Sequence, residues 1–415
     1  MSTFLGLIQE IPGISVDRFD GENLKSSAYF LSHCHSDHMI GISDNFFKDL
    51  VQYRKYLYCS PISKAILESK YSFDVSCVKE IYINSPTLIE YKPEDNESIV
   101  ISVTCVSAGH CPGSIMFLFE RSNISILYTG DFRINPKDFP KLKYLHYHEI
   151  DHKLPRKFNR IYLDTTFLSP EFSILPSRQD SVLKICEVTN EWLKKDPRNV
   201  VILECSALYG SEFLYMELSK SLNKRVHVKE HVYNSYCRIV ELAHHITNDP
   251  CSTPIHACKG KFSKEGLECQ SNVSETNILT IIPSVMKWRG KDTYKIGEWD
   301  ENKKRTFNVC YSTHASFDEL KAFIQYFDAL DIFPCVCPPR YEKEIYSLLN
   351  TIVKKSDKNV HDSNKTYKFN LPVKRGLNSI PFKSQYFTTF DAPSDLFALN
   401  RSYLIQYWKQ QLLLL

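Results

Sequence analysis

His33-Cys34-His35-Ser36-Asp37-His38 is the stretch on which the reading of this chain turns. It follows directly on the apolar run Tyr29-Phe30-Leu31, so three imidazoles and a carboxylate stand at the end of an expected strand. Imidazole nitrogens and a carboxylate packed so closely are the donors that Zn2+ takes. His33 and His35 are expected to address one cation, and Asp37 and His38 a second beside it. The plainer alternative is a surface loop that happens to be rich in histidine; four donors in six residues weigh against it.

Two later segments carry the missing members of such a set. Ser107-Ala108-Gly109-His110-Cys111-Pro112-Gly113-Ser114 follows an expected strand over residues 99–106. Leu127-Tyr128-Thr129-Gly130-Asp131-Phe132-Arg133 follows one over residues 124–128. Each places one donor, His110 or Asp131, on a glycine-containing turn at a strand end. Together the three segments describe a two-metal hydrolase, with Asp131 bridging ions about 3.5–4 Å apart. Such ions supply an activated water near neutral pH and stabilise charge on phosphoryl oxygens. Asp17, in Ile14-Ser15-Val16-Asp17, reads equally as a carboxylate orienting a ligand histidine and as an ordinary turn residue.

Outward from these motifs the chain is ordinary in bulk. Its 415 residues suit two or three domains, or one large domain with an insertion. The 25 Phe and 24 Tyr give ample material for a core, and a net charge of +3 neither favours nor disfavours a nucleic-acid partner. No secretory signal and no membrane-length apolar run is seen, so the 14 cysteines read as reduced thiols of a cytosolic or nuclear protein. The first third reads as short strands (residues 28–31, 99–106, 115–119 and 124–128) with a helix over 61–68. After a strand at 161–163, helices (181–193, 211–222, 237–246) alternate with strands (200–203, 225–228), the pattern of a parallel α/β layer. A strand (307–311), a helix (317–330), a strand (332–336) and a helix (342–353) close the ordered part. The polar remainder from about residue 356 is expected to be loosely held.

These residues resemble the metallo-β-lactamase superfamily. His33 to His38, His110 and Asp131 look like its second, third and fourth motifs, and Asp17 stands where the first carries its Asp. A long insert separates Leu163-Asp164-Thr165-Thr166-Phe167 from Tyr311-Ser312-Thr313-His314 and resembles the β-CASP insertion of nucleases. The resemblance implies an αββα sandwich with an inserted α/β domain. It divides the chain into 1–156 and 307–355 for the two parts of the sandwich, 157–306 for the insertion, and 356–415 for a tail. It further implies that Asp164 orients His314, and that His314 protonates the leaving 3′ oxygen; alone, His314 reads as a satisfied core histidine. Catalytic roles are thus implied for Asp17, Asp37, Asp164 and His314. RNA-cutting members carry a further histidine on a later strand, and Phe333 to Arg340 holds none, which points to the DNA-processing, cross-link-repair branch.

The resemblance also bears on His227, His256, Cys258 and Cys269. Two His and two Cys suit a tetrahedral structural zinc, although their spacing matches none of the common finger patterns; the branch's own pattern implies one. The cofactors expected are therefore one or two catalytic Zn2+, with Mg2+ or Mn2+ as alternative occupants of the second position, and one structural Zn2+. The implied activity is a DNA nuclease of double-strand-break end joining, both 5′→3′ exonuclease and endonuclease on hairpins and overhangs. The implied location is the nucleus. The implied partners are DNA ends, then DNA-dependent protein kinase and other end-joining factors, with no membrane. An RNA-processing nuclease and a scaffold that has lost its metals are the competing classes.

DNA contacts are expected from Arg156 and Lys157, and from Lys303 and Arg305. A further basic run, Lys287 to Lys291, carries Trp288, with Tyr294 beyond it, as stacking platforms. Solvated loops explain each cluster as well. The chain departs from the branch at Ser206 and Ile282, where Lys is expected, and residues after 355 match no part of the branch's regulatory tail.

Overall fold

The computed structural model describes residues 2–93, 97–148, 153–205, 210–258, 267–327 and 329–357. A six-stranded sheet runs in the order Ile332–Pro334, Arg160–Leu163, Ile124–Tyr128, Ile115–Arg121, Ile99–Ser107, Thr87–Tyr91. A four-stranded parallel sheet of Ile14–Val16, Ala28–Leu31, Tyr56–Cys59 and Val78–Glu80 packs on it. The alternation of side chains along a strand decides the layering. Phe117 and Phe119 point inward and meet Phe30 at ring separations of 5.4 and 5.0 Å. Met116 and Leu118 between them point outward and pack with Phe323 and Leu349. Tyr29, beside Phe30 but on the opposite face, meets Phe46 of the helix Asp44–Gln52 at 5.1 Å. Helices therefore cover both outer faces, giving the expected αββα sandwich.

Local signals start these helices. Ser43 and Ser60 accept from the third residue on, and Pro61 occupies the first turn. Ser316 and Glu319 form a reciprocal capping box at Phe317–Tyr326.

The inserted unit is a seven-stranded sheet in the order Ile246–Thr247, Val226–His227, Ile255–His256, Val200–Leu203, Ile278–Pro283, Thr306–Val309, Gly297–Trp299, parallel except for the last pair. Helices Arg178–Lys195 and Glu212–Leu222 pack on one face through Val182, Ile185, Leu214 and Leu218. The other face carries a smaller cluster of Val200, Ile202, Leu267 and Ile278 beside Cys258 and Cys269.

Several expectations change. The helix expected over 237–246 shrinks to Val240–Ala243 and gives way to the strand Ile246–Thr247, while a separate helix, Glu230–Tyr236, precedes it. Ile246 and Thr247 pair with Val226 and His227, and a fully buried ladder outweighs a weak helical pattern. The helix expected over 317–330 ends at Tyr326, because Phe327 turns into the core and Ala329 bridges to Phe158. The sheets also redraw the insertion. Arg160–Leu163 pairs within the six-stranded sheet, whereas Phe307–Val309 pairs with Ile281–Pro283 in the seven-stranded one. The final helix runs Glu342–Asp357, and the tail expected over 356–415 lies almost wholly outside the described residues.

Candidate metal centre

Open parallel sheets present loops at their carboxyl ends, where sites are built. Here strand ends of all three sheets converge on a cavity of about 270 Å3 lined by His35, Asp37, His110, Asp131 and His314, and by Gly210, Ser284 and Met286 from the insertion.

Asp131 is its centre. Its carboxylate lies 3.2 Å from His38 Nε2, 3.6 Å from His33 Nε2, 3.6 Å from His110 Nε2 and 3.8 Å from His314 Nε2. His35 Nδ1 lies 3.1 Å from His110 Nε2. Asp37 stands at the rim with Oδ2 3.9 Å from His38 Nε2 and accepts from the Ser2 N–H at 2.9 Å. The six residues expected as metal ligands are thus brought together, although they come from three segments up to about one hundred residues apart.

The rings are held from behind. Asp17 lies in the left-handed region at φ 55°, a strained position for a non-glycine residue. Its buried carboxylate accepts from Ser32 N (2.7 Å), Ser32 Oγ (2.5 Å), His38 Nδ1 (2.8 Å) and Tyr128 Oη (2.9 Å). Ser32 Oγ also lies 2.9 Å from His33 Nδ1, so one carboxylate orients two rings, one directly and one through a hydroxyl. The Thr313 carbonyl accepts from His110 Nδ1 at 2.9 Å. In each case the Nε2 lone pair is left facing Asp131, the tautomer a metal ligand needs. Gly130, at φ 52°, lets this happen, since a Cβ there would meet Ser32 Oγ at 2.8 Å. Tyr128→Phe removes one of four donors from the buried charge, and a stability loss of about 2 kcal/mol is expected in denaturant unfolding. An unchanged midpoint would show that Tyr128 does not hold Asp17.

The donor chemistry fits divalent cations. His33 Nε2, His35 Nε2 and His38 Nε2 are buried without a hydrogen-bond partner among the described residues. Burial, reinforced by neighbouring rings, holds His33 and His110 well below the ordinary 6.5, and burial brings His35 to about 4. They are therefore neutral, the ligating form. His38 moves the other way: burial opposes its charge, yet Asp131 and Asp17 raise it well above 6.5. Two carboxylates around one ring demand positive charge, the demand a divalent cation meets.

Asp164 and His314 face this cluster. Asp164 Oδ2 accepts from His314 Nδ1 at 2.9 Å and from the Phe132 N–H at 3.3 Å. Burial lowers the His314 pKa, but Asp164 and Asp131 outweigh it and raise the group above 6.5. Asp164 can therefore keep a proton on Nδ1 while Nε2 looks into the cavity.

A second group lies on the outer part of the inserted sheet. His227 and His256 are register partners on neighbouring parallel strands, with Nδ1 atoms 3.1 Å apart. Cys258 Sγ lies 3.4 Å from Cys269 Sγ, which lies 3.4 Å from His256 Nδ1. The four donors fall within 4.8 Å of one another, as ligands on bonds of about 2.0–2.3 Å to one ion must.

The basic clusters fall elsewhere. Arg156 pairs with Glu120 and lies over Tyr147; Glu120 sits at the far end of its strand from the turn that carries His110. Lys157 is exposed beside it. Lys303 and Arg305 precede the strand Thr306–Val309, whereas His314 follows it, and they line a separate cavity with Glu204, Glu275 and Ile282. Trp288 is buried, its Nε1 donating to the Lys295 carbonyl, and cannot offer a stacking face; Tyr294 is exposed. Ser206 lies outside the described residues. Sequence reasoning missed Ser32, Tyr128, Arg133 and Met286. Ser32 directly precedes the histidine motif, a signal that could have been read; the others needed the fold.

The family described as DNA repair metallo-beta-lactamase matches residues 240–340. The chain is 38% identical over 351 residues to the Artemis protein of Mus musculus, covering 81% of this chain and 49% of that one. It is 38% identical over 351 residues to Artemis of Homo sapiens, covering 81% and 50%. It is 29% identical over 353 residues to the DNA cross-link repair 1A protein of Mus musculus, covering 78% and 30%. The chain spans about half the length of the Artemis proteins it matches.

Proposed function

The chain belongs to the β-CASP DNA-repair metallo-β-lactamase family that includes Artemis, and on that premise we propose that it is a metal-dependent nuclease acting on DNA. The observation that carries this reading is Asp131 set among His33, His38, His110 and His314, with Asp164 behind His314. His33, His35, His110 and Asp131 would hold one cation, and Asp37, His38 and Asp131 a second; Zn2+ is the first choice, with Mg2+ or Mn2+ as alternatives at the second. Such cations lower the pKa of water and neutralise developing charge on phosphoryl oxygens.

The rest of the chemistry falls to the chain. Asp17 and Ser32 fix the His38 and His33 rings, and Thr313 fixes His110. Asp164 orients His314 so that a proton on Nε2 can pass to the 3′ oxygen as its bond to phosphorus breaks. Against the effect of burial, the Asp164 carboxylate beside it raises the His314 pKa, which favours the protonated ring that such a donation needs. Val336, on the cavity wall, is apolar. It lies in the stretch where RNA-cutting relatives have a histidine, which supports a DNA substrate. His227, His256, Cys258 and Cys269 would hold a structural zinc.

The substrates proposed are 5′-phosphorylated ends, hairpins and overhangs, and the setting is end joining in the nucleus beside DNA-dependent protein kinase. No described helix is long and apolar enough to cross a membrane. The placement of Arg156, Lys157, Lys303 and Arg305 away from the metal cluster leaves them, at most, contacts to DNA beyond the scissile position.

The test compares the protein with Asp37→Ala on a 5′-phosphorylated DNA hairpin bearing an overhang and on its RNA counterpart. DNA cutting by the parent alone, with the variant still folded by circular dichroism, is the expected result. Cutting of RNA only would make it an RNA-processing member. Full turnover by folded Asp37→Ala would overturn the two-metal reading.

A further inference from the structure

Arg133 is buried, two residues beyond Asp131, and each of its three guanidinium nitrogens donates to an acceptor outside the metal cluster. Nε donates to Glu319 Oε2 at 3.1 Å, and Nη2 reaches Glu319 Oε1 at 3.2 Å. Nη1 donates to the Ser312 carbonyl at 3.0 Å. Nη2 also donates to the carbonyls of Leu175 at 3.2 Å and Pro176 at 3.0 Å. Its own backbone N–H donates to the Ala108 carbonyl, on the turn that carries His110.

Two of these acceptors, Ser312 and Glu319, flank His314. Ser312 Oγ donates to the His314 carbonyl at 2.7 Å and accepts the His314 N–H at 3.2 Å. Glu319 Oε2 accepts from Ser316 N at 2.7 Å, closing the helix cap just after His314. Leu175 and Pro176 begin the passage into the inserted domain. One planar fork thus ties the Asp131 turn, the His314 turn, the following helix and the insertion together.

Resting on the nuclease reading above, we propose that Arg133 is a positioning residue for proton delivery: it holds His314 in register with Asp131 and with the scissile bond. A fork with donors in fixed directions can reach four separated groups; an ammonium on a flexible stem cannot. In the reaction the P–O3′ bond breaks as a water oxygen bonds to phosphorus; one proton of that water passes to solvent and the other stays on the new phosphate. The electron pair moves onto O3′, and the His314 Nε2 proton neutralises it. When sulfur replaces the 3′ oxygen, the thiolate leaves without that proton.

The experiment measures Arg133→Lys and His314→Ala, as metal-loaded protein, on DNA with an ordinary linkage and with a 3′-bridging sulfur at the scissile position. On the ordinary linkage, Arg133→Lys is expected to lower kcat about 10- to 100-fold with KM and metal content unchanged. On the sulfur linkage the deficit should shrink to within about threefold, in parallel with His314→Ala. The downfield Nδ1 proton of His314, identified by its loss in His314→Ala, should shift in Arg133→Lys. Should Arg133→Lys fail to fold, Glu319→Gln keeps the helix cap's acceptor and weakens the fork, and the same rescue at smaller amplitude is expected. Rescue of His314→Ala but not of the Arg133 or Glu319 variant overturns the positioning role alone. No rescue of His314→Ala overturns the general-acid reading and this inference with it.

Discussion

Asp131→Ala is expected to abolish DNA cleavage, by about a thousandfold or more, and to leave the protein without its catalytic cations. The reason is the position of one carboxylate. It lies within 3.8 Å of an Nε2 atom on each of four histidines, so no other side chain can replace its charge. Burial alone would raise the Asp131 pKa, yet His38 and His314 pull it well below the ordinary carboxylate value. The group therefore stays ionised where cations must bind. Asp131→Asn keeps the shape and loses the charge, and separates the two contributions: it should fold as the parent does and still fail to retain metal. Metal analysis alongside a cleavage assay checks both variants. Full metal content with more than a tenth of parent activity in either would mean that Asp131 does not bridge the site.

The second large effect is expected at the outer edge of the inserted sheet. Cys258→Ser combined with Cys269→Ser should lower the zinc content by one ion per chain. It should also destabilise the inserted domain by about 4 kcal/mol when free zinc stands a thousandfold above its dissociation constant. This segment has little else to hold it. The described core on that face is only Val200, Ile202, Leu267 and Ile278, with Cys258, Cys269 and Val273 against it. A pH dependence follows for the zinc-stripped protein. Burial, with His227 beside it, lowers the folded-state pKa of His256 to about 4, below the 6.5 of the unfolded chain. Between those values the unfolded state binds more protons, so stability is lost as pH falls from 6.5 towards 4. Bound zinc should suppress that loss. An unchanged melting temperature in the double variant, or a zinc-stripped protein indifferent to pH across that window, would show that these four residues do not form a structural site.

The sequence by itself determined the fold class, because its signals are local. Residues 115–119 read as a strand, and the motifs at His33 to His38, His110 and Asp131 carried the resemblance that implied the αββα sandwich. His33 to His38 lie on one short turn, so their grouping needs no long-range information. The insert between Asp164 and His314 was implied by the resemblance, while the strand and helix patterns within it pointed to a parallel α/β layer.

The tertiary structure alone decided what depends on contacts between distant segments. Tyr128 meets Asp17 only because the six-stranded and four-stranded sheets pack face to face, and Arg133 meets Glu319 only because the helix Phe317–Tyr326 docks beside the Asp131 turn. His227 and His256 become register partners through two short strands; no helical or finger-like spacing announces that pairing. Trp288, expected as a stacking platform, was misread for the same reason. Composition says that a residue is charged or aromatic, but the direction of its strand decides which end of the sheet it occupies, and packing decides whether its ring faces solvent or core. Donor identity is written locally; orientation is set by topology, since hydrogen-bond partners within reach of a ring can lie more than a hundred residues away along the chain.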